Sequence, residues 1–238
     1  MNVLSIDFDY FQKADIVTVL SYFPSPYDYS VERALFEWTL LYTKDSSRKV
    51  LEQVELMQNE FDKVCKLIQS IGVSNPHTPA LVVNSHMYLY NFIMETLEED
   101  DELNIINIDM HHDVFHPETK AANCSNWGNV LKSEHSNTNI IWIKNPYASG
   151  AFPTKLVDEE TSDLELMHNY KYDRVFLCRS DNFLVPHLDT AFEQLWRTMD
   201  EHFYDLSTEE NINIPRNIEN HVDKYHSLAL SALRGLYT

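Results

Sequence analysis

Three short apolar, β-prone runs in this chain end abruptly in carboxylates and imidazoles, and that pattern narrows the folds open to it. Ile105-Ile106-Asn107-Ile108 runs into Asp109, His111, His112 and Asp113. Val3-Leu4-Ser5-Ile6 runs into Asp7-Phe8-Asp9-Tyr10, and Leu81-Val82-Val83 into Asn84-Ser85-His86. In a parallel α/β sheet, ligands and metals gather at the carboxyl ends of strands. Acidic groups and imidazoles clustered there are costly unless a cation neutralises them. The spacing Asp-x-His-x-Asp sends Asp109, His111 and Asp113 the same way off a strand end. Period-two geometry puts Asp7 and Asp9 on one face of an extended strand, roughly 7 Å apart at their Cα atoms. Two like charges that close need a counter-cation or a raised pKa. Asp7, Asp9, His86, Asp109, His111 and Asp113 could together hold two metal ions. Mixed carboxylate and imidazole ligands suit Mn, Fe or Zn better than Ca or Mg. The plain alternative is a polar loop with a chance cluster of acids and histidines.

The rest of the chain alternates strand and helix patterns. Strands are expected at 3–7, 80–83, 105–109, 137–143 and 174–178. Helices are expected at 29–42, with Ser30 as N-cap and Leu35, Trp38 and Leu41 facing the core. Further helices are expected at 46–71, 86–98, 188–203 and 221–236. Residues 11–29 read as loop, and 211–217 as irregular. This alternation predicts a parallel sheet covered on both faces.

Length and composition bound the function. The 238 residues suffice for one domain over 1–238, and no linker or internal repeat divides them. Glycine is confined to Gly72, Gly128, Gly150 and Gly235, so there is no glycine-rich phosphate cradle of the P-loop or dinucleotide-binding kind. A formal charge of -19 disfavours nucleic acid and anionic membranes as partners and attracts cations. Acidity that only keeps the protein soluble explains the charge equally well. The three cysteines, Cys65, Cys124 and Cys178, are widely spaced and suggest a reducing, cytoplasmic compartment rather than a disulfide framework. No signal peptide and no apolar run of about 20 residues is evident.

The motif set resembles the ureohydrolase family, which includes arginase and agmatinase. The family's Asp-Ala-His-x-Asp strand end is similar to Asp109-Met110-His111-His112-Asp113, and its Ser-x-Asp-x-Asp end to Ser5-Ile6-Asp7-Phe8-Asp9. Its upstream histidine matches His86, here without the usual glycines. In classical arginases the Asp-x-Asp strand comes late, whereas here it comes first. A shorter arginase-like group shares this permuted order, and its marks match Ile6-Asp7-Phe8-Asp9-Tyr10-Phe11 and Leu177-Cys178-Arg179-Ser180-Asp181. The resemblance covers four short blocks between residues 3 and 187. It implies an arginase-like α/β sandwich with permuted strands and two Mn ions. Asp7 and Asp109 would bridge the ions, His86 and Asp113 would complete one, and His111 and Asp9 the other. It also implies hydrolysis of the guanidinium group of arginine residues in a peptide, giving ornithine and urea.

Other residues could serve that chemistry. Asp181 could accept the substrate guanidinium through paired hydrogen bonds, or could be an ordinary loop aspartate. His112 or His116 could pass a proton to the departing amine, although a hydrogen-bonded loop histidine is the favoured reading of each. Asn126 lies in an amide-rich stretch that could line the pocket or simply cap the helix that follows. Two other functions stay open. One is a phosphatase of the haloacid-dehalogenase type using Asp7 and Asp9, which leaves Asp109, His111 and Asp113 unexplained. The other is an acidic peptide-binding module with a degenerate metal site. The oligomeric state is left open.

Overall fold

The computed structural model describes residues 1–24, 30–116, 120–147, 152, 155–208, 212 and 214–235. A seven-stranded sheet, parallel at every pairing, runs through its centre. In chain order the strands are β1 (Asn2–Asp7), β2 (Pro79–Val83), β3 (Leu103–Asp109) and β4 (Thr138–Lys144). They continue as β5 (Glu159–Thr161), β6 (Arg174–Cys178) and β7 (Tyr204–Thr208). Across the sheet the order is β7-β2-β6-β1-β3-β4-β5. From β1 the chain crosses to one side for β2 and then to the other for β3. The reversal falls at β1, the point at which ligands bind beyond the carboxyl ends of the strands in open α/β sheets.

The strands are near-continuous apolar runs because both faces of the sheet are buried. Alternate residues serve different layers. Leu4, Ile6, Ile106, Ile108, Val175 and Leu177 enter the larger core. Helices α1 (Ile16–Tyr22), α2 (Val31–Tyr42), α3 (Asp45–Leu51) and α4 (Gln58–Ile68) add residues to that layer. So do α7 (Asp189–Asp200) and α8 (Ile218–Gly235). Val3, Ile105, Phe176 and Cys178 point the other way, into a smaller core under α5 (Tyr88–Met94) and α6 (Trp127–Glu134). Among the described residues no helix is long and apolar enough to cross a membrane.

Several elements depart from the sequence pattern. The expected loop at 11–29 contains α1, started by the Asp15 carboxylate accepting from the Thr18 amide; residues 25–29 lie outside the described set. The single helix expected over 46–71 is two. Glu55–Leu56 pairs antiparallel with Gln12–Lys13, and the Met57 amide donates to the Phe11 carbonyl at 2.7 Å. Those tertiary bonds outcompete helix propagation, while Leu51, Val54 and Met57 still reach the core. The helix expected from residue 86 runs only over Tyr88–Met94. The terminal helix begins three residues earlier than expected, at Ile218, and residue 236 lies outside the described set. The edge strand β5 reads Glu-Glu-Thr and carries no apolar signal. The α2 boundary agrees with expectation, since the Ser30 hydroxyl accepts from the Arg33 amide.

Gly128, in the first turn of α6, sits where a side chain has no room. A Cβ there would lie 2.9 Å from Ile140 Cδ1, 3.0 Å from Val114 Cγ1 and 3.3 Å from the Asp113 carbonyl oxygen. Gly128→Ala is expected to lower stability by about 1–3 kcal/mol, the usual range for overpacking. A urea-unfolding midpoint equal to that of the parent would refute this tight fit.

Candidate metal centre

The site grows out of the strand register. β1 and β3 run side by side with Ile6 opposite Ile108, so the next residues, Asp7 and Asp109, end the two strands together. One pleat below, Ser5 pairs with Asn107 on the same face. Both are fully buried polar residues inside apolar strands, and both support the site. Ser5 Oγ lies 2.7 Å from His86 Nε2, and the Asn107 amide donates to Asp109 Oδ2 at 3.2 Å.

Asp9 does not continue the strand as the period-two reading expects. Phe8–Phe11 forms a 3-10 turn, and the Asp7 carboxylate caps it by accepting from the Asp9 amide. The turn buries Phe8, Tyr10 and Phe11 and swings Asp9 beside β3, where Asp9 Oδ1 accepts from the Met110 amide at 3.2 Å. Asp9 Oδ2 then lies 3.1 Å from His111 Nδ1. Asp113 has a left-handed backbone, with φ of 53°. Its Oδ2 accepts from the Trp127 indole at 2.7 Å, and its carbonyl accepts from the Gly128 amide.

All six expected ligands converge. They form two groups whose ligand atoms lie within 4.8 Å of one another: Asp7, His86 and Asp109, and Asp9, Asp109 and His111. Asp109 is common to both. Asp113 joins the first group, with Oδ2 2.9 Å from His86 Nδ1, while Asp7 belongs to that group alone. His86 Nδ1 also lies 3.3 Å from Asp7 and 3.2 Å from Asp109. Three carboxylate oxygens thus crowd one buried nitrogen, yet it has no hydrogen-bond partner, and neither has the buried Asp9 Oδ2. Orphaned buried donors and acceptors of this kind fit ligation of a cation placed among them.

The electrostatics agree. Burial raises the Asp9 carboxyl well above its ordinary value, with Asp7 and Asp109 adding to the effect. Burial, then Asp109, raises Asp113 to about 7. Asp7 is raised for the same two reasons. Burial also opposes ionised Asp109, but His86 and His111 outweigh it and hold Asp109 below the ordinary carboxylate value. Burial disfavours the His111 cation, but Asp9 and Asp109 prevail and lift it to about 9. His86 is raised well above its ordinary value by Asp109, Asp113 and Asp7 against its own burial. Without a metal, the cluster holds its protons more tightly than free side chains do.

The remaining expected residues lie elsewhere. His112 Nδ1 accepts from the Val114 amide at 3.1 Å, and its ring packs on Phe115 and Trp142. Burial pushes it down to about 4, so it is neutral at pH 7 and ill suited to passing a proton there. His116 is exposed and has a left-handed backbone, with φ of 51°. Asn126 spends its amide inside its own turn, accepting from the Asn123 amide and donating to the Ala121 carbonyl. Asp181 meets Arg179 through both carboxylate oxygens, at 2.5 and 3.0 Å. The fork a substrate guanidinium would need is therefore filled from within the chain.

Sequence reasoning missed the supporting shell. Ser5 and Asn107 could have been found as polar residues interrupting apolar strands. Trp127 carried no signal. Nor did Phe152 and Phe183, whose ring centroids lie 4.9 and 5.2 Å from that of His111. The site meets solvent mainly at His111, whose side chain is 15% exposed against 6% or less for the other ligands.

No protein-family model, curated protein or solved structure matches the chain.

Two outcomes follow from this geometry. Asp181→Ala should lower stability by about 3–5 kcal/mol, because it strands a buried guanidinium. A variant that melts like the parent but has a raised KM would instead make Asp181 a substrate group. The second concerns protons. Asp7, Asp9, Asp113, His86 and His111 all hold protons more tightly folded than unfolded. Their contribution is complete below the unfolded pKa values and is lost as pH rises through the folded ones. Chelator-treated protein should therefore melt at falling temperature from about pH 6 to about pH 9. Stability that rises over that interval would contradict the assignment.

Proposed function

We propose that this chain is an arginase-like, binuclear metal hydrolase that cleaves guanidinium C–N bonds in arginine residues of a peptide, leaving ornithine and releasing urea. The observation that carries the reading is the pair of acid–histidine groups sharing Asp109, with His86 Nδ1 and Asp9 Oδ2 buried and unsatisfied. Mn ions are the proposed occupants, with Asp7, His86, Asp109 and Asp113 holding one and Asp9, Asp109 and His111 the other. When bound, such ions would supply the Lewis acidity that activates water at neutral pH. The motif likeness to the short permuted ureohydrolases supports the choice of guanidinium as the reacting group.

The chain's own residues would do the rest. Ser5 fixes the ring of His86, and Asn107 and the His111 amide orient Asp109. Half-buried Phe152 and Phe183 pack beside His111, the most exposed of the six residues, where an aromatic ring would suit a cationic guanidinium. They replace Asp181 in that role, because Arg179 occupies it. The charge of -19 would draw a cationic peptide toward the site. The phosphatase reading is less well supported, because Asp7 and Asp9 both lie against histidines that such chemistry does not use.

The test is mass spectrometry of an arginine-containing peptide incubated with the Mn-loaded protein. A loss of about 42 Da per arginine is expected, the mass of the amidine unit replaced by hydrogen in this hydrolysis. Turnover should exceed that on free arginine. Asp9→Asn should abolish it while the fold persists, since Asn is nearly isosteric and removes one of several crowded carboxylates. Undiminished urea release by Asp9→Asn would remove the binuclear mechanism.

A further inference from the structure

A second candidate site lies on one face of the sheet, under α5. Between α5 and the β2–β6 part of the sheet is a groove of about 700 Å3. Its lining includes Leu81, Val83, Phe92, Glu95, Thr96 and Arg174. The lining follows β2 from Pro79 at its amino end, beside Arg174 at the start of β6, to Val83 at its carboxyl end. Phe176 stands between the groove and the metal centre, stacked on His86 at 5.5 Å on one side and 6.2 Å from Phe92 on the other.

Arg174 is the unusual member of this lining. It is only 8% exposed. Its guanidinium carbon lies 4.6 Å from the centroid of the Phe92 ring. Among the described residues it donates no hydrogen bond and forms no close ion pair, although the Glu95 carboxylate is near enough to act on its charge. The buried arginines Arg179 and Arg216 are bound quite differently, each gripping a carboxylate with two nitrogens and donating to backbone carbonyls as well. The Arg174 guanidinium nitrogens are not buried orphans but reach the solvent of the groove, and their planar fork matches a carboxylate. Glu95, exposed at the groove, and the overall charge of -19 oppose a dianion or a polyanion. Apolar walls and a volume within the range of small-molecule sites favour a ligand with a hydrocarbon body.

We propose that this groove binds a small organic monoanion, with its carboxylate on Arg174 and its apolar body along Leu81, Val83 and Phe92. The site is separate from the proposed hydrolase centre and does not depend on that reading.

The test is calorimetric titration of the full chain with octanoate, with inorganic phosphate as the second probe. Octanoate should bind saturably, and phosphate should not compete with it. Arg174→Met should weaken octanoate by about tenfold or more, the scale of one lost charge-assisted contact. Its melting temperature should hold or rise, because no buried carboxylate is stranded: Glu95 is exposed. Thr96→Trp, an exposed position at the groove, should block octanoate while keeping Arg174, and so serves if Arg174→Met does not fold. Glu95→Gln should bind octanoate as well as the parent or better. The proposal is overturned if octanoate fails to bind, if Arg174→Met or Thr96→Trp binds it as well as the parent, or if phosphate displaces it. It is equally overturned if Arg174→Met and Glu95→Gln both lower the melting temperature, which would make Arg174 half of a structural ion pair.

Discussion

The parallel register of β1 and β3 sets two aspartates side by side at the end of the sheet, and much of the surrounding structure answers that one repulsion. Asp7 and Asp109 are buried like charges, joined by Asp9 and Asp113. Burial alone would protonate them, and three of the four are raised accordingly. Only Asp109 is shifted the other way, below its ordinary value, because two imidazoles flank it. The same residue is shared by both acid–histidine groups, so the group best stabilised as an anion is the one placed to meet two cations.

Around this centre the chain uses neutral groups rather than more charge. Ser5, Asn107, the Trp127 indole and the amides of Met110 and His111 each satisfy one atom of a ligand. Such contacts orient ligands and fix the histidine tautomer without adding to the crowd of charges. The buried atoms left without a hydrogen bond are His86 Nδ1, in one group, and Asp9 Oδ2, in the other.

Beyond that shell the rim is braced by arginines. Arg179 holds Asp181 and the carbonyls of Ile212 and Ile214, and Arg216 holds Asp189 and the carbonyls of Asp181 and Leu184. Gln12 donates to the Phe183 carbonyl and accepts from the Val185 amide, tying the turn after β1 to the loop after β6. Phe183, which that clamp holds, packs on His111. Apart from the local Arg179–Asp181 pair, these bonds join segments far apart in sequence, and they brace the loop after β6 beside His111.

The sequence by itself determined the α/β alternation, the central strands and the six residues that meet at their ends. Strand identity is local: an apolar run buried on both faces needs no partner to be recognised, and polar residues at its end stand out by contrast. Tertiary structure alone decided the rest. It split the helix expected over 46–71, because pairing with Gln12–Lys13 is invisible to periodicity. It assigned Asp181 to Arg179, although the two are only two residues apart, because side-chain direction after a strand depends on the turn that follows. It turned Asp9 out of the strand into a 3-10 turn and so made two groups from one line of carboxylates. It left His112 neutral and buried among aromatic rings rather than beside its neighbour His111. Residue type and spacing declare which groups can meet; their orientation and protonation depend on desolvation and on partners brought in from distant segments.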